Sequence, residues 1–525
     1  MLDHFPFYLA LLLAIVILIM TAKKIKVAYP VLLVLAGLGL SFLPGIPNLQ
    51  IDHELIFVVF LPPLLYEAAW AISWKELWRW RRIIGSFAFV VVFFSALVVA
   101  LIVNRCIPGF TLPLGFLLGG IVSPPDAVSA GSIMKFVRVP KRFSCILEGE
   151  SLLNDASSLI IFRFALITVA TGQFIWSDAI VSFGWMVIGG IGIGLAVAFA
   201  FKKFHKYLPT DANIDTVLSL VAPYVMYLSA EELHSSGVLA TVSGGLFLST
   251  HRHSFLSSTS RLREHSVWES LSFILNGLVF TLIGLELPEI TRGLDHEGIG
   301  LGTAIGYGLL VTFVLVIGRM ISAYSAVIIT LIARNFITVA DSRHPGFKVP
   351  ILLGWCGMRG VVSLAAALSI PVTLADGSPF PQRNLILFIT FVVILITLVG
   401  QGLTLPYLIR KIDLPDMDHA LTEEEEDHRI KTQLSAFTLA YLKEHYGEQL
   451  DRIPVLQDLA RKLHPKNADE AKAMTRECVS IYKDMIAKQR AWLIGKNEDE
   501  KLLDEDIIRK HLLRLDLEEE KLKYL

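Results

Sequence analysis

Between residues 5 and 410 the sequence passes through thirteen predominantly apolar stretches, most of them near twenty residues long, joined by short polar connections. Roughly 20 apolar residues in a helix match the hydrocarbon thickness of a bilayer. Inside lipid every backbone N–H and C=O must be satisfied within the chain, which leaves helices as the elements these stretches can form. The expected spans are 5–22, 27–43, 53–72, 83–104, 111–134, 148–171, 178–201, 213–231, 237–250, 268–288, 299–333, 349–372 and 384–410. Composition agrees: 54% of the 525 residues are hydrophobic, 18% are charged, and the mean hydropathy is +0.59. A soluble globular chain is excluded.

The remaining charge is concentrated at one end. Residues 413–525 hold 19 lysines and arginines and 26 acids, so the chain divides at about residue 412 into a membrane domain, 1–412, and an acidic, mostly helical C-terminal tail, 413–525. The tail opens on the acidic run Glu423 to Asp427 and has helical periodicity over Ile430 to Tyr446 and Asp504 to Leu525. Among its residues no phosphate loop, metal cluster or nucleophile constellation is apparent, so it is expected to regulate transport or stabilise a dimer. The N-terminus has Asp3 in place of a basic leader, and Lys23-Lys24 follow its apolar run, which predicts a first span and no removable signal peptide. Four scattered cysteines predict neither a disulfide framework nor a zinc site. The net charge of −1 offers no footprint for nucleic acid. No cofactor and no enzymatic activity are expected.

Connections rich and poor in lysine and arginine alternate along the chain. The basic set carries Lys23, Lys24 and Lys26; Lys75, Arg79, Arg81 and Arg82; Lys135, Arg138, Lys141 and Arg142; Lys202, Lys203 and Lys206; Arg252, Arg261 and Arg263; and Arg334, Arg343 and Lys348. Basic loops stay in the cytoplasm, so the N-terminus is expected outside and the tail inside. Thirteen spans divide as six, one and six, and the odd central helix makes the second half start from the opposite side. The expected fold is therefore an all-α polytopic membrane protein of two inverted six-helix repeats. Within it, the fifth helix of each half is interrupted, by Ser123-Pro124-Pro125-Asp126 in one and by Gly354, Gly357 and Gly360 in the other. Matching breaks in corresponding helices point to a transporter's midplane site, where half-helix ends face the substrate. Glycine and proline are also frequent in ordinary membrane helices, and that reading stays open.

Ionisable residues inside spans need a partner or a purpose. Asp126 lies in the first break, either to bind a cation beside freed carbonyls or to cap the second half-helix. The sixth helix carries Glu148-Gly149-Glu150-Ser151-Leu152-Leu153-Asn154-Asp155, where Ser151 and Asp155 share one face and Glu150 and Asn154 the adjacent one. These are hard oxygen ligands suited to sodium, lithium or protons. A carboxylate desolvated there is a group able to exchange a proton near physiological pH. A polar seam between helices is the alternative. Glu67, beside Pro62-Pro63, is a peripheral ligand or an interfacial acid. Arg319 and Arg359 are buried cations that require acidic partners, and Glu150 is the candidate for one of them. Arg163, two turns beyond Asp155, has no evident partner. The stretch from Trp74 to Arg82, with three tryptophans and three arginines, reads as an interfacial anchor.

The motifs FLPPLLYEA (60–68), SPPDA (123–127), EGESLLND (148–155), the GRMIS run around Arg319 and GMRG (357–360), taken in this order, resemble the sodium/proton exchangers of the first monovalent cation/proton antiporter family, particularly its long bacterial form. The resemblance implies a homodimer of thirteen-helix protomers with broken, crossing helices, exchanging sodium or lithium for protons in the plasma membrane and serving pH homeostasis. It implies that Asp155 carries the ion and the proton, that Asn154 marks electroneutral exchange, that Ser151 is a further ligand so that sodium sits at Asp155 and Ser151, and that Asp126 and Glu67 support the site. Glu150 and Arg319 resemble a structural ion pair, with Arg359 in support. Here Pro125 stands where many members have threonine and Ala127 where they have proline, so a threonine hydroxyl ligand is absent, the ion preference stays open, and Pro125 still offers its carbonyl. A potassium/proton antiporter of the same fold remains open. An intramembrane aspartyl protease using Asp126 and Asp155 is the remote alternative, since Asp155 follows asparagine and not the glycine of a G-x-G-D motif. A channel fits poorly with an aspartate that must hold proton and ion in turn.

Overall fold

A computed structural model describes residues 5–25, 27–43, 53–134, 137, 139–172, 176–296, 298–333, 348–374 and 377–412, with scattered residues between 432 and 521. The described chain is helical. Its order is α1 (Phe5–Ile25), α2 (Tyr29–Ser41), α3 (His53–Ala71), α4 (Trp74–Gly85), a π-helical turn (Ser86–Val91), α5 (Val92–Cys106), α6 (Leu112–Val122), α7 (Ala127–Met134), α8 (Lys141–Thr171) and α9 (Trp176–Tyr207). It continues through α10 (Ala212–Glu232), α11 (Gly237–Phe255), α12 (Ser258–Leu285), α13 (Leu287–His296), α14 (Leu301–Ala333), α15 (Lys348–Trp355), α16 (Val361–Leu368), α17 (Arg383–Ile396), a second π-helical turn (Thr397–Gln401) and α18 (Gly402–Ile412). Among the described residues eight helical runs are long and apolar enough to cross a membrane, and Tyr29–Ser41 and Val58–Ala71 are shorter apolar helices.

Several helices begin earlier than the apolar pattern predicts. The fourth span is expected from 83, yet its helix starts at Trp74, because the Ser73 hydroxyl accepts the Glu76 N–H and caps it. The Trp/Arg stretch read as an interfacial anchor forms the first turns of this helix. Leu77, Trp80 and Ile84 are buried while the arginines face outward. The sixth span starts at Lys141 and not 148, behind Pro140. The tenth starts at Ser258 and not 268, capped by Ser257. Polar opening turns carry no hydropathy signal, so the sequence places these starts too late. The fifth span breaks at Ser123 to Asp126, between α6 and α7. The twelfth breaks at Cys356 to Gly360, so Gly354, expected in the break, belongs to α15, where a side chain would strike the Met320 backbone.

Two packed sets of helices emerge. In one, α2 lies on α12, α9 on α11, α11 on α3 and α10 on α12. In the other, α5 lies on α6, α6 and α4 on α8, and α14 on α15 and α17. The sets meet where α16 touches α3 and α12 and where α8 touches α3 and α11. Both breaks belong to the second set. Residues Met1–Asp416 form one compact unit and Met417–Leu525 another. In the second unit, residues 436–441 and 486–489 are helical, and Leu439 and Ile486 are buried. The run Glu423 to Asp427, most of the expected tail helices, and the loop positions Lys26, Lys135, Arg138, Arg334 and Arg343 lie outside the described residues.

Candidate functional site

The two breaks touch. The Asp126 N–H donates to the Met358 carbonyl at 2.7 Å. Gly360 lies against the Asp126 carboxylate so closely that a Cβ there would collide with it. Proline at 124 and 125 cannot donate to a helical ladder, and the last turn of α6 therefore ends with carbonyls free. Asp126 is the N-terminal cap of α7: Oδ1 accepts the Val128 N–H at 3.0 Å, and Oδ2 accepts the Ser129 N–H at 3.3 Å and its hydroxyl at 2.5 Å. Of the two sequence readings for Asp126, the capping geometry is present, and a negative charge suits the positive end of that half-helix.

The adjacent face of α8 completes the arrangement. The Ser151 hydroxyl accepts the Ala127 N–H at 3.1 Å, and Asn154 Nδ2 donates to the Pro125 carbonyl at 3.1 Å. Each of those oxygens keeps a second lone pair. Asn154 is buried and its Oδ1 has no hydrogen-bond partner; the same is true of Ser123 Oγ in the break. Asp155 is 8% exposed, and among the described residues none donates a hydrogen bond to its carboxylate. The Asp126 charge acts on it. Glu67 is half-buried on α3, and its charge and that of Asp126 both reach Tyr29. Buried polar atoms are normally satisfied. Unpartnered hard oxygens and a desolvated carboxylate are groups chemically able to hold a cation or a proton.

Cationic side chains brace the crossing. Arg319 on α14 grips Glu150 with both ends of its fork, Nη1 to Oε1 at 2.7 Å and Nη2 to Oε2 at 2.9 Å, while its Nε donates to the Leu353 carbonyl at 3.2 Å. Among the described residues no acid grips Arg359 in this way. Its guanidinium donates to the Val122 carbonyl at the end of α6 and to the Gly357 carbonyl in the second break, where the sequence predicts an acidic partner. Carbonyls freed by broken helices carry partial negative charge enough to hold it. Arg359 N–H also donates to the Thr397 hydroxyl at 3.1 Å, in the second π-helical turn. In the first π-helical turn, the Ala88 carbonyl accepts the Ser157 hydroxyl at 2.5 Å. Such turns leave carbonyls out of the regular ladder. Arg163, without an evident partner in the sequence, pairs with Glu231 at 2.5 Å. That acid lies 68 positions away on α10, where local spacing gives no hint of it.

A family of sequences described as "Sodium/hydrogen exchanger, transmembrane" matches residues 10–411. The sodium, potassium, lithium and rubidium/H(+) antiporter of Bacillus subtilis is 35% identical over 390 residues, covering 72% of this chain and 58% of that protein. The Bacillus pumilus protein of the same name is 34% identical and is likewise covered over 58% of its length. The chain thus spans less than two thirds of these two relatives. An uncharacterized Na(+)/H(+) exchanger of Mycobacterium tuberculosis is 30% identical over 528 residues, covering 97% of this chain and 94% of that one. In fold the chain resembles the sodium proton antiporter MjNhaP1 of Methanocaldococcus jannaschii, with a TM-score of 0.60, 22% identity, and coverage of 78% and 98%.

Proposed function

The chain belongs to the sodium/hydrogen exchanger family, and from that premise we propose that it is a secondary active transporter exchanging sodium or lithium for protons across the plasma membrane by alternating access. The observation that carries this reading is the Asp155 carboxylate, desolvated at the contact of two broken helices and left without a donor among the described residues. Such a group binds either a proton or a monovalent cation, because the negative charge must be neutralised either way. Sodium sits at Asp155 and Ser151, with the Asn154 Oδ1 and the Pro125 carbonyl as further oxygens. Asp126 keeps the break closed and its charge fixed, and Glu67 lies on the approach. Glu150 and Arg319 hold α8 to α14, and Arg359 ties the two breaks into one moving body.

The protein works as a homodimer with its N-terminus outside and the tail, residues 413–525, in the cytoplasm. Asn154 carries no titrating proton, so exchange is one for one and electroneutral, and it serves pH homeostasis. A second reading, potassium as the exchanged ion, is supported by the printed names of the two Bacillus relatives. The test uses everted vesicles from a strain lacking its own exchangers. With a proton gradient established, sodium or lithium collapses it; collapse by potassium alone supports the second reading, and no response to any of the three overturns both.

A further inference from the structure

An ion pair outside the exchange site joins the two sets of helices. Arg163 stands on α8, in the second set, and Glu231 on α10, in the first; Arg163 Nη2 donates to Glu231 Oε2 at 2.5 Å. Both residues lie toward the helix ends remote from the basic connections. Helix α8 starts at Lys141 and carries Arg163 in its second half, while α10 follows the loop after Lys202, Lys203 and Lys206 and ends at Glu232. With a rise of roughly 1.5 Å per residue, Arg163 stands about 12 Å beyond Asp155 along α8.

Glu231 is fixed to the first set whether or not Arg163 is present. Its Oε1 accepts the Gly237 N–H at 3.1 Å, at the start of α11. The turn between α10 and α11 is tied down as well: the Trp185 indole donates to the Leu233 carbonyl at 3.0 Å, and the Ser236 N–H donates to the Met186 carbonyl at 3.2 Å, both on α9. Gly237 sits so close to Tyr227 that a Cβ there would strike its ring at 2.7 Å. Glu231 is therefore a fixed post. The pair it makes differs in kind from Glu150–Arg319, which lies within the second set, is gripped at two points and is 0% and 2% exposed. Arg163 and Glu231 meet at a single point, and their side chains are 39% and 30% exposed. A buried pair is expensive to part because each charge is stranded. A half-exposed one parts at little cost, since water solvates both ends.

From this geometry we infer that Arg163 and Glu231 are further residues of the exchange cycle, a breakable latch that holds the two sets together on the side opposite the basic loops. This rests on the alternating-access reading for its consequence. The set carrying Asp155 moves against the other, and the latch is joined while that side is shut and parted while it is open. The pair touches neither ion nor proton; it sets how the population divides between the two states. Its single contact and its access to water suit a bond made and broken in every cycle, whereas Glu150–Arg319 stays closed inside the moving set.

The experiment has two arms. In the full chain with Cys106, Cys145, Cys356 and Cys478 changed to alanine, spin labels are placed at Ile167→Cys and Leu233→Cys, both exposed positions flanking the pair. Pulsed electron–electron distance measurements on the purified protein then give the ratio of joined to parted states. Glu231→Gln removes the charge and keeps an oxygen for the Gly237 N–H, and it lowers that ratio about two- to fivefold, as loss of a half-exposed pair implies. Arg163→Gln does the same, and the double change goes no further than either single one. In proteoliposomes, both variants lower the sodium concentration for half-maximal exchange on the side of the pair by a similar factor, because the state open to that side is more populated. If Glu231→Gln does not accumulate, Arg163→Gln carries both measurements. A distance distribution unmoved in the variants, or effects that add in the double change, overturns the latch. The distance arm needs no transport: a wild type that shows the joined and parted states and no exchange contradicts the exchanger reading and not the latch.

Discussion

The Asp126 N–H and the Met358 carbonyl are 2.7 Å apart, so each broken helix uses the other to satisfy a backbone group that its own break leaves over. Separating the breaks would strand a buried donor and acceptor, at about 1–3 kcal/mol for each unsatisfied group. The contact thus makes the pair a single body, and substitutions at the crossing should disturb both halves together.

Gly360→Ala tests that contact directly. The added methyl meets the Asp126 Cγ at 2.6 Å and cannot be accommodated without moving the cap of α7. Overpacking of this kind carries a penalty of about 1–3 kcal/mol, and exchange should fall with it. Gly131→Ala, in α7 with open space around it, should leave both melting temperature and transport unchanged. Equal behaviour of the two variants would show that the crossing is not tightly held.

The Glu150–Arg319 pair should behave as a buried unit. The two residues are 0% and 2% exposed, and removing one partner leaves a charge in low dielectric at a cost of about 3–5 kcal/mol. Either single change to Ala should therefore lower the melting temperature by more than half the loss of the double change. A double-mutant cycle measures the difference; strictly additive losses would mean that the pair does not couple.

How much of this was legible beforehand depends on the range of each interaction. The breaks at 123–126 and 356–360 are visible because proline and clustered glycine act locally, and Ser151 and Asp155 fall on one face through helical spacing alone. Glu231 opposite Arg163, Asp215 opposite His205, and the carbonyls around Arg359 are brought in by other helices, and no periodicity encodes them. The π-helical turns are equally silent, since Ser86–Val91 is as apolar as its neighbours. The earlier helix starts at Trp74 and Ser258 did leave a signal, a serine just before each, that an apolar count overlooks.

Exchange should be electroneutral. If Asp155 is the single carrier, it crosses with one proton or one monovalent cation, and the membrane potential does no work on the cycle. Moving one net charge would instead be worth about 2.3 kcal/mol per 100 mV. Sodium uptake into proteoliposomes at a fixed pH gradient should be the same at zero potential and at a valinomycin-set potassium potential. An end point that follows the voltage would require a second proton carrier, with Asp126 or Glu67 the nearest acids. The same competition predicts a bell-shaped dependence on pH, because protons exclude the cation when acidic and none is available to return when alkaline.

The most direct test of the account is sodium-driven proton movement by the purified full chain in liposomes, wild type against Asp155→Asn. With sodium outside and a pH dye inside, the wild type should alkalinise the lumen as sodium enters and protons leave. Asp155→Asn should show no sodium-dependent signal while eluting and melting like the wild type, because an amide neither releases a proton nor neutralises a cation and its burial is less costly than that of a charge. Sodium-driven alkalinisation retained in the Asp155→Asn protein would contradict the assignment of Asp155 as the carrier.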